Sequence, residues 1–424
     1  MVERYTVRTS VFESGERFPI LVEVGTGMPL FDPTVFTLTE YRARNRASAT
    51  IEQVLRAVKV FLLFCDRHGI DLDKRMLEGR LLELGELDAL AQFCRFPMSD
   101  IETQVEAAAT VSKRAVTSLE SFRVKAKKSF QEVAGDSAAV RLRYIRQFIR
   151  WLADRRLLGL SAYHPSRETL FNACETTVSG LAARIPAGKS RNSARGRRAI
   201  GEAAQARLWE IVDPRSAENP WEGQHARIRN ELIVRWFMGL GIRRGELLGV
   251  RITDVDFRAN EAFIARRADD PSDPRVQQPN AKTAARLLAI SDDLARLTRQ
   301  YILEARHRFP KARKHGFLFV ANGGAPLSLR GLNKIFDVLC RRHPEFPDVY
   351  PHLFRHTYNY NFSSIADEQG LDQEMEKKIR SQVMGWSETS NTAASYTRRE
   401  IERKAREASL QLQNNMVKPK NGGD

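Results

Sequence analysis

The chain has 424 residues, 42% of them apolar and 28% charged, enough for about two or three domains with cores of their own. This composition excludes a fibrous or low-complexity chain. Lys and Arg number 68 against 52 Asp and Glu, a net charge of +16, which points to a polyanionic partner, most simply nucleic acid.

The first 45 residues read as a small extended unit. In "RFPILVEVGTGMPLF" two apolar runs flank "GTG", the pattern of a hairpin. A helical domain is expected over 46–183. Thr50 and Gln53 have capping-box spacing. Ile51, Val54, Leu55, Val58, Phe61, Leu62 and Cys65 then recur at helical intervals, and Gly69 suits a helix stop. Residues 81–133 are also expected to be helical. In "AAVRLRYIRQFIRWLADRR" (138–156), Leu142, Ile145, Phe148, Ile149 and Leu152 form one face. Arg143, Arg146 and Arg150 form a stripe on the other, with no acid among them, as for a helix laid against phosphates or in a major groove.

Residues 184–200, "RIPAGKSRNSARGRRAI", hold six basic residues and no acid. With Pro, Gly and Ser and no apolar period, they read as a linker. Arg191, Arg195, Arg197 and Arg198 would lie along DNA while the flanking domains grip either side. A second domain is expected over 201–412. Helical stretches open it, then "EAFIARR" (261–267) and "ARLLAI" (285–290) read as the strands of a hairpin. Helices are expected over 292–308, 329–341, 352–384 with a break near Gly370, and 397–412, before a disordered tail at 413–424.

Cys65, Cys94, Cys174 and Cys340 form no CxxC pair, so reduced thiols are expected rather than disulfides or a zinc knuckle. The beginning, "MVERYTVRTS", lacks the apolar core of a signal peptide. The most apolar stretch, "ELIVRWFMGLGI" at 231–242, is too short for a bilayer and carries Arg235. A cytoplasmic protein with no membrane partner is the expectation.

"PHLFRHTYNYNF" at 351–362 carries the chemistry. His352 and His356 are four apart, the spacing of zinc proteases. Those require Glu after the first His, where Leu353 stands here, and no third ligand is evident. No metal is therefore expected. A second fragment, "GIRRGELL" (241–248), places Arg243 three residues before Glu246. Together with Lys282 in the predicted hairpin, "HLFRH" and "MGW" followed by Tyr396, the order is Arg, Lys, His-x-x-Arg, Trp, Tyr. This resembles the tyrosine recombinase (phage integrase) family over about 200–410. More weakly, 48–160 resembles that family's helical core-binding domain.

The resemblance implies a mainly α protein with a small sheet in its catalytic domain, two domains clamping double-stranded DNA. It implies site-specific cleavage and rejoining of DNA strands by a recombinase or integrase of a mobile element. The intermediate would be a 3′-phosphotyrosine, formed without cofactor, metal or ATP. Guanidinium forks suit the charge gathering on the phosphate oxygens in the transition state; Arg243 and Arg355 would be these clamps. The three-residue step to Glu246 favours Arg243 over Arg244, and Glu246 would support the site by hydrogen bonding. Lys282, the one lysine between Lys189 and Lys311, would be the general acid. His352 would bond the phosphate or take the tyrosine's proton, with His356 as support. Trp386, which donates but does not titrate, would bond the phosphate. Tyr396, 41 residues after Arg355 and ten after Trp386, would be the nucleophile, about one residue further from Trp386 than the family usually has it. The family works as tetramers on paired sites, and a helix at 400–412, with Ile401, Ala405, Ala408 and Leu412 in phase, would dock on a neighbouring subunit. A type IB topoisomerase and a DNA-binding regulator without activity are the rival readings.

Overall fold

The structure is a computed structural model that describes residues 3–112, 132–187, 199–279, 283–387 and 409–410. The chain divides into two compact units, Met1–Ala194 and Arg195–Asp424. Among the described residues both are mainly helical, each with one small antiparallel sheet.

The first unit opens with a hairpin of β1 (Tyr5–Val11) and β2 (Arg17–Glu23), in register from Tyr5↔Glu23 to Val11↔Arg17. Its turn is at 12–16, not at "GTG". There Phe12 N–H donates to the Glu16 carbonyl (2.9 Å) and Gly15 takes φ +85°. "RFPILVE" is β2, and the run after "GTG" leads into a helix, α1 (Phe31–Thr37). The reason is Pro33. It has no N–H to give a ladder but fits the first turn of a helix, where that donor is not used.

Helix α2 (Ser48–His68) buries Ile51, Val54, Leu55, Val58, Phe61 and Cys65. It starts before the expected capping box, because Ile51 N–H already donates to the Ala47 carbonyl (3.2 Å). It stops where expected, at Gly69 with φ +64°, a left-handed turn that glycine adopts freely. Three shorter helices follow: α3 (Leu72–Leu77), α4 (Leu84–Phe93) and α5 (Met98–Ser112). Then come α6 (Gly135–Leu158) and α7 (Ser166–Ala183). The expected face of α6 is buried, with the Phe148 ring 5.2 Å from that of Phe36. Tyr5, Phe18, Leu21 and Phe36 share one core with α2 and α6.

The second unit begins with α8 (Glu202–Val212), α9 (Gln224–Leu240) and α10 (Arg244–Gly249). A three-stranded sheet follows, β3 (Val255–Asp256), β4 (Glu261–Ile264) and β5 (Arg286–Ala289), in the order β3-β4-β5. β4 and β5 are the expected hairpin, paired from Glu261↔Ala289 to Ile264↔Arg286. Then come α11 (Asp292–Gln300), α12 (Leu329–Arg342), α13 (Pro351–Glu368) and α14 (Gln373–Met384). The predicted break near Gly370 is the α13–α14 connection. Trp236, Phe237, Phe336 and Phe354 centre the core, the rings of Phe237 and Phe354 stacked at 5.9 Å. Most of the expected helix at 397–412 and the tail at 413–424 lie outside the described residues. No helix among the described residues is long and apolar enough to cross a membrane.

Candidate active site

Helix α9 ends at Gly241, with φ +58°. A Cβ there would stand 2.7 Å from the Tyr358 ring and 2.8 Å from Met384 Cε. Conformation and space both demand glycine, and the result is close approach of three segments: the α9–α10 turn, α13 and the end of α14. Arg243, Arg355 and Trp386 stand on these segments.

Arg355 is buried in the second turn of α13. Its Nη1 donates to the Gly241 carbonyl (2.7 Å) and its Nη2 to the Met384 carbonyl (3.1 Å). Both carbonyls end helices, where peptide dipoles leave partial negative charge. One guanidinium thus ties the C-termini of α9 and α14 together. It also lies 5.3 Å from the centroid of the Trp386 ring, within cation–π range.

Glu246 is buried in α10. Its Oε2 accepts from the Arg243 backbone N–H (2.8 Å) and Arg286 Nη2 (3.1 Å). Its Oε1 accepts from Arg286 Nη1 (3.3 Å) and from the Thr283 hydroxyl. Burial pushes its pKa up, but the bonds and charge of Arg286, the Thr283 hydroxyl and the Arg243 N–H outweigh it. The net shift is downward. Glu246 is therefore a standing anion, surrounded by donors. The Arg243 side chain is half-buried, with Nη1 3.7 Å from Glu246 Oε1. Arg244 is exposed.

Arg286, on β5, is a residue that sequence reasoning missed. Besides Glu246 it bonds the Val383 carbonyl through Nε (2.6 Å), so it joins α10, the sheet and α14. The signal was available. In "ARLLAI" the alternation puts Arg286 on the same side as Leu288, the buried face, and a charge there needs a buried partner. Arg286→Met would strand the Glu246 carboxylate, so we expect a loss of about 3–5 kcal/mol in urea unfolding. The double variant Glu246→Gln/Arg286→Met should lose less than the sum of the singles; strict additivity would show that the two are not coupled.

A second buried group was also missed. Arg380 donates to the Asn359 carbonyl (2.9 Å), to Ser363 Oγ (2.7 Å) and to Glu376. It binds α14 to α13 and so holds Trp386 beside Arg355. His352 is exposed on the first turn of α13, while His356 is buried one turn on, their ring centroids 4.6 Å apart. Tyr358 packs against Gly241, and burial raises its pKa; Tyr360 is exposed. Among the described residues no three His, Cys, Asp or Glu come together as metal ligands.

Of the expected set, Arg243, Glu246, His352, Arg355, His356 and Trp386 lie on these adjoining segments. Lys282, Tyr396 and the linker residues Arg191, Arg195, Arg197 and Arg198 lie outside the described residues. In the first unit Arg143 is exposed and Arg146 half-buried. Arg150 differs from the sequence reading of an acid-free stripe. The neighbouring helix α7 brings Glu175 to it, and the two form a bidentate pair, with Nη2–Oε2 at 3.1 Å. Sequence separation of 25 residues hid this acid.

Arginines bonded to backbone carbonyls and to the buried carboxylates of Glu246 and Glu376 thus hold the adjoining segments together. Residues 214–403, a little under half of the chain, match the family model described as the Phage integrase family. Tyrosine recombinase XerC of Staphylococcus carnosus is 24% identical over 136 residues, 32% of this chain and 40% of the relative. The XerC-like tyrosine recombinase of Caldanaerobacter subterraneus is 27% identical over 176 residues, 38% of this chain and 43% of the relative. The chain spans about two fifths of the length of these relatives. Among solved structures, XerH recombinase bound to palindromic difH in a post-cleavage complex is 15% identical, covering 85% of this chain and 96% of that one with a TM-score of 0.39. Tn1549 transposon integrase with a circular intermediate DNA is 14% identical, covering 70% and 97%, with a TM-score of 0.36.

Proposed function

We propose that the protein is a site-specific DNA recombinase that cleaves and rejoins strands through a 3′-phosphotyrosine, acting for a mobile genetic element. The observation that carries this is the frame in which Arg243 and Arg355 are held. Arg355 bonds the carbonyl of Gly241, two residues before Arg243, and the Arg243 backbone bonds Glu246. The Arg355 guanidinium and the Arg243 backbone are fixed on adjoining segments, and two guanidinium groups from these positions would suit one phosphodiester with little reorganisation at the moment of reaction.

In the proposed step the Tyr396 oxygen attacks phosphorus. The bond from phosphorus to the 5′ oxygen breaks, and Lys282 gives that oxygen its proton. His352, exposed at the mouth of α13, accepts the tyrosine's proton or bonds a phosphate oxygen. Trp386 donates its indole N–H to the phosphate, while Glu246 and His356 support the frame. Attack by a second strand's 5′ hydroxyl reverses the chemistry and reseals the DNA. The bond energy stays in the phosphotyrosine, so no ATP is needed.

The domain scheme proposed is the sequence-based one: a helical DNA-binding domain over 46–183, a basic linker over 184–200 and a catalytic domain over 201–412. Arg143, Arg146 and the four linker arginines would meet phosphates; Arg150 is already paired with Glu175. The partner is double-stranded DNA at paired sites, held by a homotetramer in the cytoplasm. A duplex that traps cleavage by losing a short 5′ fragment tests the reading. We expect a denaturation-stable protein–DNA adduct on the recombination site; absence of any adduct would remove the enzyme from consideration and leave a DNA-binding regulator. Supercoil relaxation without site preference would favour a topoisomerase instead.

Cleavage should also proceed at the same rate in excess EDTA. Loss of the adduct on chelation, with recovery on adding zinc or magnesium, would replace the guanidinium mechanism by a metal-assisted one.

A further inference from the structure

Residues 306–315, "RHRFPKARKH", contain five Arg or Lys, two His and no acid. They form two 3-10 turns, Arg306–Arg308 and Pro310–Lys314. Arg306 is turned inward and organises them. Its Nε donates to the Phe317 carbonyl (3.0 Å), and its Nη2 to the carbonyls of Ala312 (2.7 Å) and His315 (2.8 Å). The floor is Gly324, with φ +80°, where a Cβ would stand 2.7 Å from Phe309 Cβ and 3.0 Å from the Ala312 nitrogen. His315 Nε2 bonds the Gly324 carbonyl at 2.9 Å. The backbone of this loop is thus built and braced.

The remaining cations, Arg308, Lys311, Arg313 and Lys314, all project to solvent, as does His307. Several arginines elsewhere in the second unit meet carboxylates: Arg207 with Glu210, Arg251 with Asp270, Arg267 with Asp254, Arg275 with Asp273 and Arg296 with Asp293. Here the polar contact is Arg313 Nη2 with the ring and carbonyl of His307, at 3.3 and 3.4 Å. Glu304, the nearest acid before the loop in sequence, accepts from Gln300 (2.9 Å). Four like charges on one braced loop repel each other, and a polyanion lying across them relieves that repulsion and releases its counterions.

We propose that the 307–314 loop is a second phosphate-backbone docking surface for duplex DNA, separate from the candidate active site. This rests on the reading of the protein as a DNA recombinase. The contact is independent of sequence, because lysine and arginine ends meeting phosphates position a duplex without reading bases.

The test uses the full chain and a random-sequence duplex. The variant Arg308→Ala/Lys311→Ala/Arg313→Ala/Lys314→Ala is titrated against salt beside wild type and the charge-conserving Arg308→Lys/Arg313→Lys. The slope of log affinity against log salt should flatten by up to about 3–4 units in the quadruple variant, at about 0.9 for each phosphate that is no longer neutralised. It should stay at the wild-type value in the charge-conserving one. On wild type, the duplex should protect Lys311 and Lys314 from acetylation. An unchanged slope, or lysines that remain reactive under saturating duplex, would overturn the proposal, as would protection by poly-glutamate but not by duplex, which would make the partner an acidic protein. If wild type cleaves its site yet the quadruple variant keeps the full slope, the loop assignment alone fails. If wild type neither binds duplex nor forms an adduct, the recombinase reading fails and takes the loop with it.

Discussion

Tyr396→Phe should abolish the covalent protein–DNA adduct and leave duplex affinity nearly unchanged. The substitution removes one oxygen, the atom that would form the bond to phosphorus, and keeps the ring. The two tyrosines that follow the His-x-x-Arg motif most closely are poor substitutes. Tyr358 packs its ring against Gly241, with burial raising its pKa, so its hydroxyl is less readily ionised for attack. Tyr360 is exposed, but it lies on α13 within the same helix as His352 and cannot swing independently of it. The measurement is adduct formation on a trapping duplex, followed by peptide mapping. An adduct that persists in Tyr396→Phe, or one that maps to Tyr358 or Tyr360, would reassign the nucleophile.

Arg243→Ala and Arg355→Ala should each slow single-turnover cleavage by roughly 10²-fold or more, the size expected for deleting a fixed donor to transition-state charge. Arg244→Ala should cost far less, since that side chain is exposed and Arg243 is the one bonded to Glu246 through its backbone. The two clamps should differ in a second readout. Arg355 carries the carbonyls of Gly241 and Met384, so Arg355→Ala should also lower stability by about 1–3 kcal/mol per carbonyl left without its buried donor. Arg243 is half-buried, its backbone makes the Glu246 bond whatever the side chain is, and Glu246 keeps Arg286 as a partner, so Arg243→Ala should lose less stability than Arg355→Ala. Equal rate losses at Arg243 and Arg244 would show that the register is set wrongly. A full rate in Arg355→Ala, with stability reduced, would make Arg355 a structural bolt rather than a clamp.

Periodicity carried the helices and strands. Apolar spacing in α2 and α6 is a local property, set by 3.6 residues per turn, and it survives into the fold because those faces are what the core buries. The α13–α14 break and the β4–β5 hairpin were legible for the same reason. The hairpin at the start was misplaced because turn chemistry is locally ambiguous. "GTG" and "FESGE" both suit a turn, and the choice falls to the strand that Phe18 and Leu21 must help bury against α2.

The candidate site was legible as residue types in order: Arg243 with Glu246, His352 with Arg355, then Trp386. Their placement on adjoining segments was not, because it depends on long-range contacts that no local pattern encodes. Arg355 reaches Gly241 across 114 residues, and Arg286 reaches Glu246 across 40. The stripe on α6 shows the same limit from the other side. Arg143, Arg146 and Arg150 are equivalent by sequence, yet α7 supplies an acid to Arg150 alone among the three as described. Sequence by itself determined which residue types, in which order, the proposed phosphate chemistry can draw on. Tertiary structure alone decided which of those charges are spent holding the fold together and which remain at the surface for a partner, since a charge is neutralised by whatever packing brings within a few ångströms of it, however distant along the chain.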